Sequence, residues 1–297
     1  MARKVLLLDI DSTIPNLALM KISAYHKAKG DEVGFSVNCA DMIYTSVIFS
    51  NHKHLVDGLH FFYPRAEIIK GGSGYDIKSK LPDEIEFLKP DYSLYPDMDY
   101  SMGYSTRGCN RNCYFCIVPH KEGKFTRWQH PEKFYDERFD KIMFLDNNIL
   151  LDKEWFYEVC KFCTDNSLKV WFTQGIDIKL LDDQVAKQLS ELDHYKGFHF
   201  AFDDSKLETT IREKCKLLKE HGIDLRADVQ FYVYLDNAKD YDDAVHRCRI
   251  LKELGTNPFV MFNINHKPTK KINELRRWAN RRWIFWSCDI SEYTRKK

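Results

Sequence analysis

Apolar residues fall along this chain in short runs separated by amphipathic stretches, and the two kinds of segment alternate through its whole length. Lys4 to Ile10 is a valine and leucine run that reads as a buried strand. Asn16 stands where an N-cap belongs, ahead of a helix carrying Leu17, Met20 and Ala24, and Gly30 stops that helix. Glu32 to Val37 and Met42 to Phe49 read as two more strands, His54 to Phe62 as a helix, and Ala66 to Ile69 as a fourth strand running into Gly71-Gly72-Ser73-Gly74. These segments predict a small βαβ-type layer.

Pro82, Pro90 and Pro96 then punctuate an acidic, tyrosine-rich stretch from Lys80 to Asp99, which predicts a linker. The boundary is placed near residue 97, with one domain over 1–97 and a second over 98–297. In the second, candidate strands at Tyr100 to Thr106, Lys141 to Leu145, Lys169 to Thr173, Gly197 to Phe202, Asp224 to Tyr232 and Phe259 to Ile264 alternate with helical patterns. Ser205 to His221 puts Leu207, Ile211, Cys215 and Leu218 on one face before Gly222; Tyr241 to Leu254 does the same with Tyr241, Ala244, Val245, Cys248 and Leu251 before Gly255. The fold class is therefore α/β. A partial (β/α)6 barrel is the size-matched architecture, since a full eight-fold barrel needs about 250 residues.

Composition narrows the function. Lys and Arg number 45 against 44 Asp and Glu, a formal net charge of +1, so a nucleic-acid partner would need a local patch rather than a global field. The start, MARKVLLLDIDST, meets Asp9 after a short apolar run, too short for a signal-peptide core or a membrane span, and a cytoplasmic location is expected. Nine cysteines without a secretory signal argue for reduced thiols or metal ligands rather than a disulfide framework.

Three of them cluster in Thr106-Arg-Gly-Cys109-Asn-Arg-Asn-Cys113-Tyr-Phe-Cys116-Ile-Val-Pro119-His120. Three thiolates spaced C-x3-C-x2-C can converge on one centre if the loop curls round it, and Gly108, Asn110 and Asn112 give that loop turning freedom. Three ligands serve a four-iron cluster incompletely, so one iron stays open to a small chelating molecule. The same cysteines with His120 also make a Cys3His zinc set. Placement after the first of six alternating strands favours iron, because small zinc modules stand in short autonomous folds.

The spacing, with Phe115 immediately before the third cysteine, resembles the signature of the radical S-adenosylmethionine (SAM) superfamily. The resemblance implies a [4Fe-4S] cluster on Cys109, Cys113 and Cys116. It also implies S-adenosyl-L-methionine on the open iron, cleaved reductively to methionine and a 5'-deoxyadenosyl radical, and Phe115 against the adenine. A reductant such as flavodoxin or ferredoxin follows as a partner, with the substrate unidentified. The likeness extends over about two hundred residues to proteins that carry a cobalamin-binding-like domain in front of the barrel.

Later strand ends fit that picture. Asp146 and Asn147 follow the second strand, where many relatives have a glycine-glycine-glutamate motif for the methionine amino group; this chain departs from it with Asp146-Asn147-Asn148. Gln174 and Asp177 follow the third strand and Asp203 the fourth, and polar groups ending buried strands at the mouth of a parallel barrel point at ligand. Helix N-capping by Asp203, Asp204 or Ser205 is the competing role. Arg226, read as part of the fifth strand, is expected to pair with a carboxylate of SAM or substrate, or to form a structural ion pair.

The N-terminal domain looks like a shortened Rossmann-like, cobalamin-binding domain. Where that family has an Asp-x-His-x-x-Gly loop, this chain reads Asp9-Ile-Asp11-Ser-Thr-Ile-Pro15-Asn16, without histidine, so cobalamin is not the favoured cofactor. Cys116-Ile-Val-Pro119 also resembles the cluster loop of tRNA methylthiotransferases, but only Cys39 precedes the motif where those enzymes carry three cysteines for a second cluster. A non-catalytic Cys3His zinc nucleic-acid-binding protein is the alternative from another class. Arg276, Arg277, Arg281 and Arg282 interleave with Trp278, Trp283 and Trp286 in a strip that can hold RNA. The favoured account keeps the tryptophans in the core and the arginines in water, with no membrane partner.

Overall fold

The computed structural model describes residues 2–293, so the arginine and tryptophan strip at 276–286 is described, and the end of the basic stretch 271–297 that contains it lies outside the described residues. It divides into two compact units, Met1–Asn112 with Cys116–Ile142, and Cys113–Phe115 with Met143–Lys297. Both are α/β.

In the first unit four parallel strands, β1 (Lys4–Asp9), β2 (Glu32–Gly34), β3 (Met42–Ser46) and β4 (Glu67–Gly71), lie in the order β2-β1-β3-β4. Alternation puts Leu6 against Val37, Ala40 and Ile43 on one face, while Val5 and Leu7 point the other way and are fully buried. Helix α1 (Leu17–Ala28) starts as its sequence predicts: the Asn16 side chain accepts the Leu19 N–H at 3.2 Å. The expected helix over 54–62 is instead two four-residue pieces, α2 (His54–Asp57) and α3 (Leu59–Phe62), interrupted at Gly58, with no side-chain cap on either.

The strand order reverses its winding between β1 and β3, the place where open parallel sheets bind ligands. Here that edge is laced shut by its own loops. Asp11 accepts the N–H groups of Ile48 (2.7 Å) and Phe49 (2.9 Å) and meets His52 Nδ1 at 2.9 Å. Burial pushes its carboxyl up, but these hydrogen bonds outweigh burial and hold it below the usual range. A Cβ on Gly72 or Gly74 would collide with the backbone of Val47 to Phe49. The glycine-rich turn therefore serves a close backbone approach.

The proline-punctuated segment is not a free linker. It contains α4 (Asp83–Glu86), and Ile85, Tyr92, Leu94 and Met98 are buried. Its acidic and tyrosine side chains strap α1 and β1: Glu86 pairs with the buried Lys21 at 3.0 Å, Asp91 binds Ser23 and Lys27, and Tyr95 donates to Asp9 at 2.7 Å. Tyr92 donates to the Phe134 carbonyl at 2.5 Å and accepts the Met102 N–H, in the segment that opens β5 (Ser101–Gly103). Strands β6 (Thr106–Arg107) and β7 (Thr126–Arg127) pair antiparallel, and α5 (Val118–Lys121) lies between them.

The chain passes from the first unit to the second within β8 (Lys141–Phe144). β8 neighbours β9 (Lys169–Phe172), and a separate parallel sheet runs β10 (Phe198–Ala201), β11 (Val229–Leu235), β12 (Asn257–Phe262). Among the described residues β9 and β10 are not paired; Val170 of β9 bridges to His194 in the segment before β10, and the His199 carbonyl accepts Ile176 N–H from the loop beyond β9. Helices α6 (Lys153–Asp165), α7 (Asp183–Glu191), α8 (Glu208–Glu220) and α10 (Tyr241–Leu254) cover the strands. α8 buries Ile211, Cys215 and Leu218 as its periodicity predicts, and α10 ends in Gly255 at φ 84°.

Before β11 comes the short α9 (Leu225–Asp228), which corrects the placement of Arg226. The Asp224 side chain accepts the N–H groups of Arg226 and Ala227 and caps a helical turn where a strand was expected. In β11 itself Val229, Phe231, Val233 and Leu235 are buried, which turns Gln230, Tyr232 and Tyr234 to the opposite face. α11 (Lys270–Ala279) and α12 (Arg282–Ser287) close the described chain.

Candidate functional site

The cysteine segment begins as a loop pinched at its base. The β6–β7 register pairs Thr106 with Arg127 and Arg107 with Thr126. Beyond it, Cys109 N–H donates to the Gly123 carbonyl (3.2 Å) and Phe125 N–H to Asn110 Oδ1 (3.0 Å). Glu122 holds the neck, accepting Gly108 N–H at 3.1 Å with the Arg107 guanidinium 3.7 Å away. Gly108 sits at φ 72°, and a Cβ there would strike the Lys124 carbonyl, so only glycine fits. Asn112 takes a left-handed turn at φ 49°, which an asparagine tolerates.

Cys109 and Cys116 are half-buried and Cys113 is exposed. The Cys109 sulfur accepts the Arg111 N–H at 3.4 Å. Among the described residues no group of three or more His, Cys, Asp or Glu side chains is drawn together tightly enough to hold a metal ion. The donor chemistry nonetheless fits a thiolate-bound cluster: three thiols lie within eight residues on a loop built from glycine and asparagine turns.

The tip, Cys113–Phe115, belongs to the second unit. There Phe115 stacks on Tyr234, ring centroids 4.2 Å apart and planes 22° from parallel. Tyr234 is fixed from three sides. Its N–H donates to Asp203 Oδ1 (3.0 Å), its hydroxyl to Asp236 (3.2 Å), and its carbonyl accepts from Arg247 (3.1 Å). Arg247 is almost fully buried and also binds the Phe202 carbonyl (2.6 Å) and Asp243 (2.7 Å), clamping the C-terminal ends of β10 and β11 together. Burial pushes the Asp203 carboxyl up, against the Tyr234 N–H and the charges of Arg247 and Lys179. Burial and the neighbouring Asp236 push the Tyr234 hydroxyl to about 12.

Phe115 and Asp203 are thus brought to one residue, Tyr234, which sequence reasoning did not single out. Its signal was the period-two pattern of β11, which sets it opposite the helix-covered face. Asp236 is a further member, tied to Asn263 at 2.7 Å, with His266 Nδ1 on its carbonyl.

The other expected residues are placed differently. Asp146 is buried and Asn147 half-buried after β8. Asp177, expected at the ligand, caps a 3₁₀ turn through Lys179 N–H and accepts from Asn148 Nδ2 at 3.2 Å. Asp204 likewise caps the turn that precedes α8, whereas Asp203 does not. Gln174 is exposed beyond β9. Arg226 lies before β11, at the opposite end of that strand from Tyr234, exposed, with its guanidinium 4.2 Å from the centre of the Trp286 ring. Cys160 and Cys163 are buried in α6, with burial pushing both thiols up, as inert core thiols require.

A scan of known family patterns finds none that matches this chain. A search of curated proteins finds no match either. Among the described residues no helix is long and apolar enough to cross a membrane.

Proposed function

We propose that this chain is a radical SAM enzyme that cleaves S-adenosylmethionine reductively, at a [4Fe-4S] cluster held by Cys109, Cys113 and Cys116, to start radical chemistry on a substrate. The observation that carries the reading is the C-x3-C-x2-C loop with Phe115 before its third cysteine, a ring laid flat on Tyr234. On this reading the strands from Tyr100 to Ile264 are the rungs of a partial (β/α)6 barrel, and the sheet β2-β1-β3-β4 is a cobalamin-binding-like domain that holds no corrin.

When bound, the cluster supplies an electron and, at its open iron, an anchor for the amino and carboxylate groups of SAM. The chain's own residues do the rest. Gly108 and Glu122 set the neck of the loop that presents the thiolates. Phe115, braced by Tyr234, offers a flat apolar face to the adenine, and such stacking contributes about 1 kcal/mol. Asp203, with its carboxyl raised and Oδ1 held by Tyr234 N–H, is placed to hydrogen-bond a hydroxyl of SAM or substrate. Asp146 and Asn147 stand in for the missing glycine-glycine-glutamate motif.

The test is anaerobic incubation of reduced protein with SAM and assay for 5'-deoxyadenosine. Formation that disappears in Cys113→Ala supports the reading; none from wild-type protein with its cluster intact overturns it.

A further inference from the structure

We infer that the junction of α11 and α12 is a binding surface for single-stranded nucleic acid, in which Arg276, Arg277, Arg281 and Arg282 hold phosphates and Trp283 stacks on a base.

The strip divides on folding. Ile272, Leu275, Trp278 and Ala279 bury one face of α11, and Ile284 and Phe285 bury one face of α12. Trp278 Nε1 is spent on the Cys288 carbonyl (3.0 Å) and Trp286 Nε1 on Asn257 (2.9 Å), so these two tryptophans anchor the helices. Trp283 does not. It is 70 % exposed, against the expectation that the tryptophans turn inward.

The arginines are the second observation. Other surface guanidiniums of this unit have partners, Arg212 with Glu208 and Glu253, Arg249 with Asp289, and Arg226 over the Trp286 ring. The side chains of Arg276, Arg277 and Arg281 meet no carboxylate and no hydrogen-bond acceptor among the described residues, and all three are exposed. Arg282, also exposed, has only a 3.4 Å hydrogen bond to the Ala227 carbonyl. Four guanidiniums within seven residues, none paired with a carboxylate among the described residues, repel one another. The cost is recovered when phosphates arrive.

An exposed indole beside them selects the polyanion. A lipid headgroup or a phosphorylated side chain offers charge without a stack of flat rings, and a duplex keeps its bases paired inside. A single strand presents both phosphate and unpaired base. The near-zero net charge of the chain confines this attraction to the patch. The inference does not depend on the cluster, because none of these residues belongs to the cysteine loop.

The test is fluorescence anisotropy of a labelled twelve-nucleotide single strand, as RNA and as DNA, titrated with the full chain across salt concentrations. Single-strand binding should weaken with salt, and Arg276→Gln with Arg277→Gln together should flatten the log–log slope by about 1.4, which is about 0.7 for each phosphate no longer neutralised. Trp283→Ala should weaken binding about tenfold at unchanged slope. All substituted side chains are exposed, and unchanged circular dichroism confirms that the variants fold. RNA and DNA arms that differ name the natural strand; arms that agree show a reader of phosphate and base alone. Equal affinity for a duplex of the same length, equal binding to anionic lipid vesicles, or an unchanged slope in the double variant overturns the inference.

Discussion

Phe115 lies face to face with Tyr234, centroids 4.2 Å apart and planes 22° from parallel. The residue before the third cysteine is thus held by a strand 119 positions later, so the stack reports on both the loop tip and the end of β11. Phe115→Ala should weaken SAM binding about fivefold, near 1 kcal/mol, while leaving iron content unchanged. Equilibrium dialysis against labelled SAM under anaerobic conditions measures it, and loss of iron along with affinity would show a structural role for the ring instead.

Two glycines of the cysteine loop separate conformation from close approach. Gly108 (φ 72°) has the Lys124 carbonyl where a Cβ would go, and Gly123 (φ 81°) has open space. Gly123→Ala should cost about 1 kcal/mol and keep the metal. Gly108→Ala must displace the loop neck, and iron per chain in that variant should fall well below wild type. Equal metal content in the two variants would mean that the neck does not position the thiolates.

How much of this was legible follows from what periodicity encodes. The cap at Asn16, the stop at Gly255 and the buried faces of α8 and α10 were readable because each depends on residues a few positions apart. Arg226 was misplaced because the Asp224 side chain diverts two backbone N–H groups into a turn, a local competition that an apolar pattern does not register. The strap over 80–99 was missed because Glu86, Asp91 and Tyr95 find partners 64 or more residues away on α1 and β1. Of the candidate site, the cysteines stood out by spacing, Phe115 by the family resemblance, and Asp203 by ending a strand. Tyr234 did not, since half-buried tyrosines are common on strands.

Asp203 carries a pH signature. Its carboxyl is raised by burial, so the native state binds this proton more readily than the unfolded chain, whose value is near 3.8. The stability it contributes is present below pH 3.8 and is lost as pH rises through the folded value. Asp203→Asn keeps an oxygen for the Tyr234 N–H and removes the charge. It should therefore melt at or above the wild-type temperature at pH 7, with the difference closing as pH falls toward 4. A variant less stable at pH 7 would contradict the direction of the shift.

Arg247 binds two carbonyls, those of Phe202 and Tyr234, that no other side chain reaches among the described residues. Arg247→Met keeps much of the volume and leaves both acceptors unsatisfied, which costs about 2–4 kcal/mol. Chemical denaturation should show that loss, and SAM affinity should fall with it as Tyr234 loosens. A variant as stable as wild type would show that water satisfies the two carbonyls.

What Cys109, Cys113 and Cys116 bind decides between a radical SAM enzyme and a zinc protein. The most direct measurement is iron, sulfide and zinc content of protein purified without oxygen, with electron paramagnetic resonance of the reduced form before and after SAM is added. A radical SAM enzyme holds about four irons and four sulfides per chain, and this cluster predicts as much here. It also predicts a reduced-cluster signal that changes shape on SAM addition and vanishes in Cys113→Ala. One zinc with no iron, or a reduced-cluster signal indifferent to SAM, would contradict it.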